Sequence, residues 1–169
     1  MVRRGVVAGL LATVGILAPA AELEAGMKAP GFEAKDQYGS PVRLADYLGK
    51  SNVVLYFYPK DDTPGCTKEA CSLRDGYHAI QATGAVVLGV SADDVVSHAA
   101  FAKKYELPFA ILADPKGDLI RLYGVKMPVF TLASRVTFII DKQGVIRFKL
   151  DKVDAARHDR QVLDLLKTL

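Results

Sequence analysis

The sequence predicts a single α/β domain, a mixed central sheet flanked by helices. Three observations carry this. The chain has 169 residues, enough for one sizeable core and too few for two. Apolar runs alternate with helical stripes in the order βαβαβ between Val53 and Leu112. A strand pair and a last helix follow. Parallel crossovers plus an antiparallel pair require a mixed sheet covered on both faces.

Each element has its own signal. From Phe32 to Leu44, apolar residues flank Gln37-Tyr38-Gly39-Ser40-Pro41, a turn composition that predicts a short hairpin. Val53 to Tyr58 is a run of β-branched, aliphatic and aromatic residues, the pattern of a central strand buried on both faces, and Pro59 ends it. Tyr56, Phe57 and Tyr58 read as core. Ala70, Leu73, Tyr77 and Ile80 then recur at three and four residues and predict one amphipathic helix. Ala85–Val90 is a second buried strand, and Asp93 or Asp94 caps a helix running to about Tyr105. Phe109–Leu112 is a short strand and Asp118–Tyr123 a helical turn. Val136–Ile140 and Val145–Leu150 are strands joined through Asp141-Lys142-Gln143-Gly144, a hairpin signal. Leu163, Leu165, Leu166 and Leu169 mark a C-terminal helix.

The first twenty residues have a different character. Arg3 and Arg4 precede an uncharged stretch from Gly5 to Leu17, and Ala18-Pro19-Ala20 supplies small residues at a cleavage-site spacing. This is the layout of a secretory signal peptide over residues 1–20, leaving a domain over 21–169 that is periplasmic or otherwise exported. The arginine pair also raises a twin-arginine route. An uncleaved anchor is the second reading, although Gly5–Ala21 is short for the roughly 20 residues of a spanning helix. A start at Met27, giving a cytoplasmic protein, is the third. Loss of Arg3 and Arg4 would lower the net charge from +3 to +1. With no dense Lys/Arg run, nucleic acid is not an expected partner.

The chemistry lies where the first buried strand hands over to its helix, at Pro59-Lys60-Asp61-Asp62-Thr63-Pro64-Gly65-Cys66. Thr63 suits an N-cap and Pro64 the first helical position, so Cys66 falls in the first turn. Unpaired backbone N–H groups and the helix dipole there favour a thiolate, the nucleophilic form. Cys71, the other cysteine, lies five residues on. In an intact helix the two Cα atoms would be about 8.6 Å apart, beyond the roughly 7 Å a disulfide tolerates. A pair that alternates between a reduced helix and an oxidised, unwound segment accounts for this spacing. Two buried thiols or a stabilising bridge are the structural alternatives. Zinc is a poor fit, having no four-ligand set. The Cys-x-x-Cys spacing of a dithiol reductase is absent.

The segment Pro59-x-x-x-Thr63-x-x-Cys66 resembles the peroxidatic motif of peroxiredoxins. The string from Thr63 to Asp75 is similar to the bacterioferritin comigratory protein, or Q-type, branch. Ala29-Pro30-x-Phe32, Phe57-Tyr58-Pro59 and Arg135-Val136-Thr137-Phe138-Ile139-Ile140-Asp141 fit the same pattern, and the likeness spans residues 26–169. It implies a thioredoxin-like fold and a thiol peroxidase without a prosthetic group, acting on hydrogen peroxide and organic hydroperoxides. Cys66 would be the nucleophile and Cys71 the resolving thiol. Arg135 would hold the thiolate and the peroxide oxygens, Thr63 would orient sulfur and substrate, and Pro59 would wall the pocket. A thioredoxin-like or other dithiol would reduce the disulfide. With both cysteines in one chain, a monomer is expected. A thiol–disulfide exchange protein and a non-enzymatic redox sensor are the competing functions.

The remaining polar residues receive lesser roles. Glu69 and Arg74 read as a solvated ion pair, with each other or with Arg135. His78, His98 and His158 are scattered along the chain and are assigned neither as ligands nor as bases. No Gly-rich phosphate loop is present, so no nucleotide cofactor is indicated.

Overall fold

A computed structural model describes residues 22–169; the predicted leader, residues 1–20, lies outside the described residues. The turn at Gln37–Ser40 joins β1 (Glu33–Lys35) to β2 (Pro41–Arg43) as an antiparallel pair. The apolar run forms β3 (Asn52–Phe57), followed by α1 (Pro64–Asp75), α2 (Tyr77–Ala82) and β4 (Ala85–Ser91). Next come α3 (Val95–Lys104), β5 (Ala110–Ala113), α4 (Asp118–Leu122), β6 (Val136–Ile140), β7 (Ile146–Leu150) and α5 (His158–Leu166).

The seven strands make one sheet in the order β2-β1-β5-β4-β3-β6-β7. β3, β4 and β5 pair in parallel, as the βαβαβ order requires, and antiparallel partners extend the sheet at both sides. Alternation along β3 divides the core in two. Val53, Leu55 and Phe57 join Leu88, Leu112, Ile120, Tyr123 and Phe138 on one face. Val54 and Tyr56 join Tyr58, Leu73, Ile80, Phe101, Ile111 and Val162 on the other. That second face is covered by α1, α2, α3 and α5, and Cys66 belongs to it.

Two local readings are refined. The single stripe from Ala70 to Ile80 is split at Gly76 into α1 and α2. A Cβ at Gly76 would lie 2.5 Å from that of Asp159, so this break is where the first turn of α5 presses against the chain. Of the two capping candidates, Asp94 caps α3 by accepting from Ser97 N at 2.8 Å. Asp93 instead accepts from Asp61 N and the Ser91 hydroxyl.

Candidate active site

Cys66 is the third residue of α1, only 2 % exposed, at the end of the sheet where β3 stops and β6 begins. The register Phe57↔Val136 sets the geometry: Arg135 immediately precedes β6, beside the strand end from which Tyr58 and Pro59 lead into the loop. Arg135 thereby reaches across the sheet to the helix terminus. Its Nη2 donates to Cys66 Sγ at 3.4 Å, while Nη1 donates to Glu69 Oε2. One guanidinium fork thus holds the sulfur and a carboxylate together. Gly65 makes this approach possible, since a Cβ there would meet Arg135 Nη2 at 3.1 Å. Burial works against the Arg135 charge, but Glu69 and the cysteine more than offset it and raise its pKa above the ordinary value.

Thr63 occupies the N-cap position in extended backbone, but its hydroxyl does not cap the helix. It donates to Lys60 O at 2.9 Å and so closes the preceding loop. Pro59 is half-buried just beyond β3. Cys71 is a half-buried thiol on the same unbroken helix, with no bond to Cys66.

Glu69 is the main departure from expectation. It is completely buried, not solvated, and lies between Arg135 and His158. His158 is also completely buried; its Nδ1 faces Glu69 Oε1 at 3.1 Å and its Nε2 meets Thr137 Oγ1 at 3.0 Å. The first contact is off the line of a hydrogen bond. Tyr56 stacks edge-on against His158. Burial, then the Glu69 carboxylate, hold its phenol far above the usual range, so it stays neutral. Arg74 pairs instead with Asp75 and the Tyr105 carbonyl.

The loop that delivers Cys66 is tied down by residues with no motif of their own. The Asp61 carboxylate accepts from Tyr58 Oη at 2.6 Å and Ser97 Oγ at 2.8 Å, and meets His98 Nδ1 at 2.8 Å. The other His98 nitrogen donates to Leu112 O at 3.1 Å. Asp62, at a positive φ of 57°, accepts from Lys104 and Tyr105. Two adjacent aspartates therefore fasten the loop to α3. His78, by contrast, is exposed.

The chain that carries this nearly buried thiol at a helix N-terminus under a guanidinium is similar to known proteins. The family model described as AhpC/TSA family matches residues 25–149. The chain belongs to that family. A chloroplastic peroxiredoxin Q of Sedum lineare is 44 % identical over 151 residues, covering 88 % of this chain and 81 % of its own length. The solved structure of peroxidoxin BcpB from Mycobacterium tuberculosis superposes with a TM-score of 0.81 at 33 % identity, covering 87 % of this chain and 98 % of its own. The bacterioferritin comigratory protein of Xanthomonas campestris, described for its alkyl peroxide reduction activity, superposes at 0.75 with 30 % identity, covering 81 % and 90 %. This peroxiredoxin is accordingly a thiol-dependent peroxidase with a thioredoxin-like fold, as the motif implied.

Proposed function

We propose that this peroxiredoxin reduces hydrogen peroxide and organic hydroperoxides through Cys66 and resolves the product with Cys71. The supporting observation is the Arg135 fork on Cys66 Sγ and Glu69. The Cys66 thiolate attacks the terminal oxygen of R–O–O–H. An S–O bond forms as the O–O bond breaks, giving Cys66–SOH and RO⁻, which takes up a proton to leave as ROH. Arg135 stabilises the charge as it moves to the leaving oxygen, Thr63 orients the substrate, and Pro59 limits water at the sulfur. The Cys71 thiol then displaces hydroxide from Cys66–SOH, forming the disulfide and, with its proton, water. A thioredoxin-like dithiol reduces this bond by exchange and is itself oxidised.

Rapid mixing with peroxide tests the assignment. Cys66→Ser abolishes turnover. Cys71→Ser consumes the first equivalent of peroxide normally but stalls at the sulfenic acid, detectable by mass. Full turnover by Cys66→Ser overturns the reading. The enzyme acts as a monomer, since both thiols belong to one chain. Residues 1–20 serve as an export signal, so N-terminal sequencing of the cellular protein gives a start at Ala21.

A further inference from the structure

We propose that His158 is a positioning residue that acts through Glu69, so that the first turn of α5 latches the part of α1 that must open during catalysis. The inference rests on the Cys66–Cys71 resolution proposed above. Four residues of helix lie between Cys66 and Cys71, and this segment has to unwind before the sulfurs can bond. Glu69 lies inside that segment, completely buried, with Arg135 on one carboxylate oxygen and His158 on the other. Opening must pull this carboxylate away from both partners. It also takes the carboxylate away from the buried Nδ1 edge of His158, whose Nε2 keeps only Thr137, and an unpartnered polar edge is costly in an apolar core. Just past Cys71 is a second tie to the same turn. Ser72 Oγ donates to Asp159 Oδ1 at 2.8 Å and accepts from Asp159 N at 3.1 Å. Gly76 then packs directly on Asp159.

α5 therefore grips α1 on both sides of Cys71. The Glu69–His158 contact has to break for resolution, whereas the Ser72–Asp159 pair stays and marks where unwinding stops. The closed latch keeps Arg135 aligned on Cys66 for the first oxidation and restrains the second step. His158 thus sets the interval in which the sulfenic acid is exposed to a second peroxide.

Two substitutions separate the ring nitrogens. His158→Asn keeps an amide nitrogen near the Nδ1 position facing Glu69; His158→Gln keeps an amide at the Nε2 position facing Thr137. After a pulse of peroxide, His158→Gln is expected to slow the first oxidation and to speed disulfide formation roughly tenfold, because the closed state loses the Glu69–His158 contact. His158→Asn restores both rates toward wild type. A merely structural role would not move the two steps in opposite directions. Disulfide formation in folded His158→Gln at or below the wild-type rate overturns the inference. If peptide mapping finds no Cys66–Cys71 bond in the wild-type enzyme, the parent reading fails and takes the latch with it. Ser72→Ala leaves His158 in place and supplies an independent arm. By hydrogen exchange, its loss of protection extends through Leu73–Asp75; exchange that still stops at Cys71 overturns the assigned boundary.

Discussion

Arg135 serves two acceptors at once, and lysine cannot replace that geometry. A guanidinium fork reaches Cys66 Sγ with one nitrogen and Glu69 with the other, whereas a lysine ammonium is a single point charge. Arg135→Met is expected to slow the first oxidation by roughly 10²-fold, the usual effect of removing a donor that stabilises developing charge. Arg135→Lys should recover part of that loss, measured by stopped-flow oxidation of Cys66 under pseudo-first-order peroxide. The Cys66–Arg135 contact was legible in the sequence in two different ways: the Thr-Pro-Gly-Cys junction is a local signal at the helix start, whereas Arg135 was singled out only by the family resemblance. Glu69 was not, since a helical carboxylate reads as solvated. The available signal was its place three residues after Cys66, with Ala70 and Leu73 on the same inward face. His158 had no signal of any kind, because its partner is 89 positions away and only the packing of α5 on α1 brings them together.

At the level of elements, most strands and helices follow from periodicity, and the corrections come where two elements touch. The stripe from Ala70 to Ile80 read as one helix, with Gly76 inside it. Only the approach of Asp159 explains why the helix divides there. Gly89 makes the same point inside a strand. In β4 it pairs with Tyr56 of β3, and a Cβ would lie 2.8 Å from the end of the tyrosine ring. The buried ring needs this missing side chain, because backbone and core close it in on other sides. Gly89→Ala should therefore lower stability by about 1–3 kcal/mol in urea unfolding, as overpacking of a core does. It should also displace Tyr56 toward His158, whose ring centroid is 6.1 Å from its own. A slower first oxidation would accompany the stability loss. Unchanged stability would mean that the two strands separate easily at this pair. The aspartates that tie the loop ahead of Cys66 escaped notice for a related reason. Asp61 and His98 are 37 positions apart, and nothing local marks either as buried.

Across the described molecule, the N-terminal arm is tied to the far end of the sheet. Gly26 N donates to Ile146 O, Ile146 N to Met27 O, and Ala29 N to Gly144 O, so the arm runs along the β6–β7 hairpin. Leu23 packs against the core cluster beneath, and Lys149 Nζ reaches Glu22 at 2.7 Å and Glu24 at 3.1 Å. The Lys149 side chain is only 8 % exposed, so these pairs are better shielded than ordinary surface ones. Removal of residues 1–20 leaves every one of these contacts intact. A protein beginning at Met27 loses Leu23, both glutamates and the Gly26 bond. Its Lys149 would keep only the 3.9 Å approach to Asp151 among these carboxylates. Of two purified forms, the one starting at Ala21 should match the full chain in stability, while the one starting at Met27 should be weaker by about 1–2 kcal/mol. Part of that difference should disappear in high salt, because the Lys149 pairs are screened while the packing of Leu23 is not. Equal stability of the two forms would show that the arm rests on the hairpin without supporting it. The outcome bears on export as well, since a leader can be cut away without loss of these contacts only if the cut falls ahead of Glu22, the first of them among the described residues.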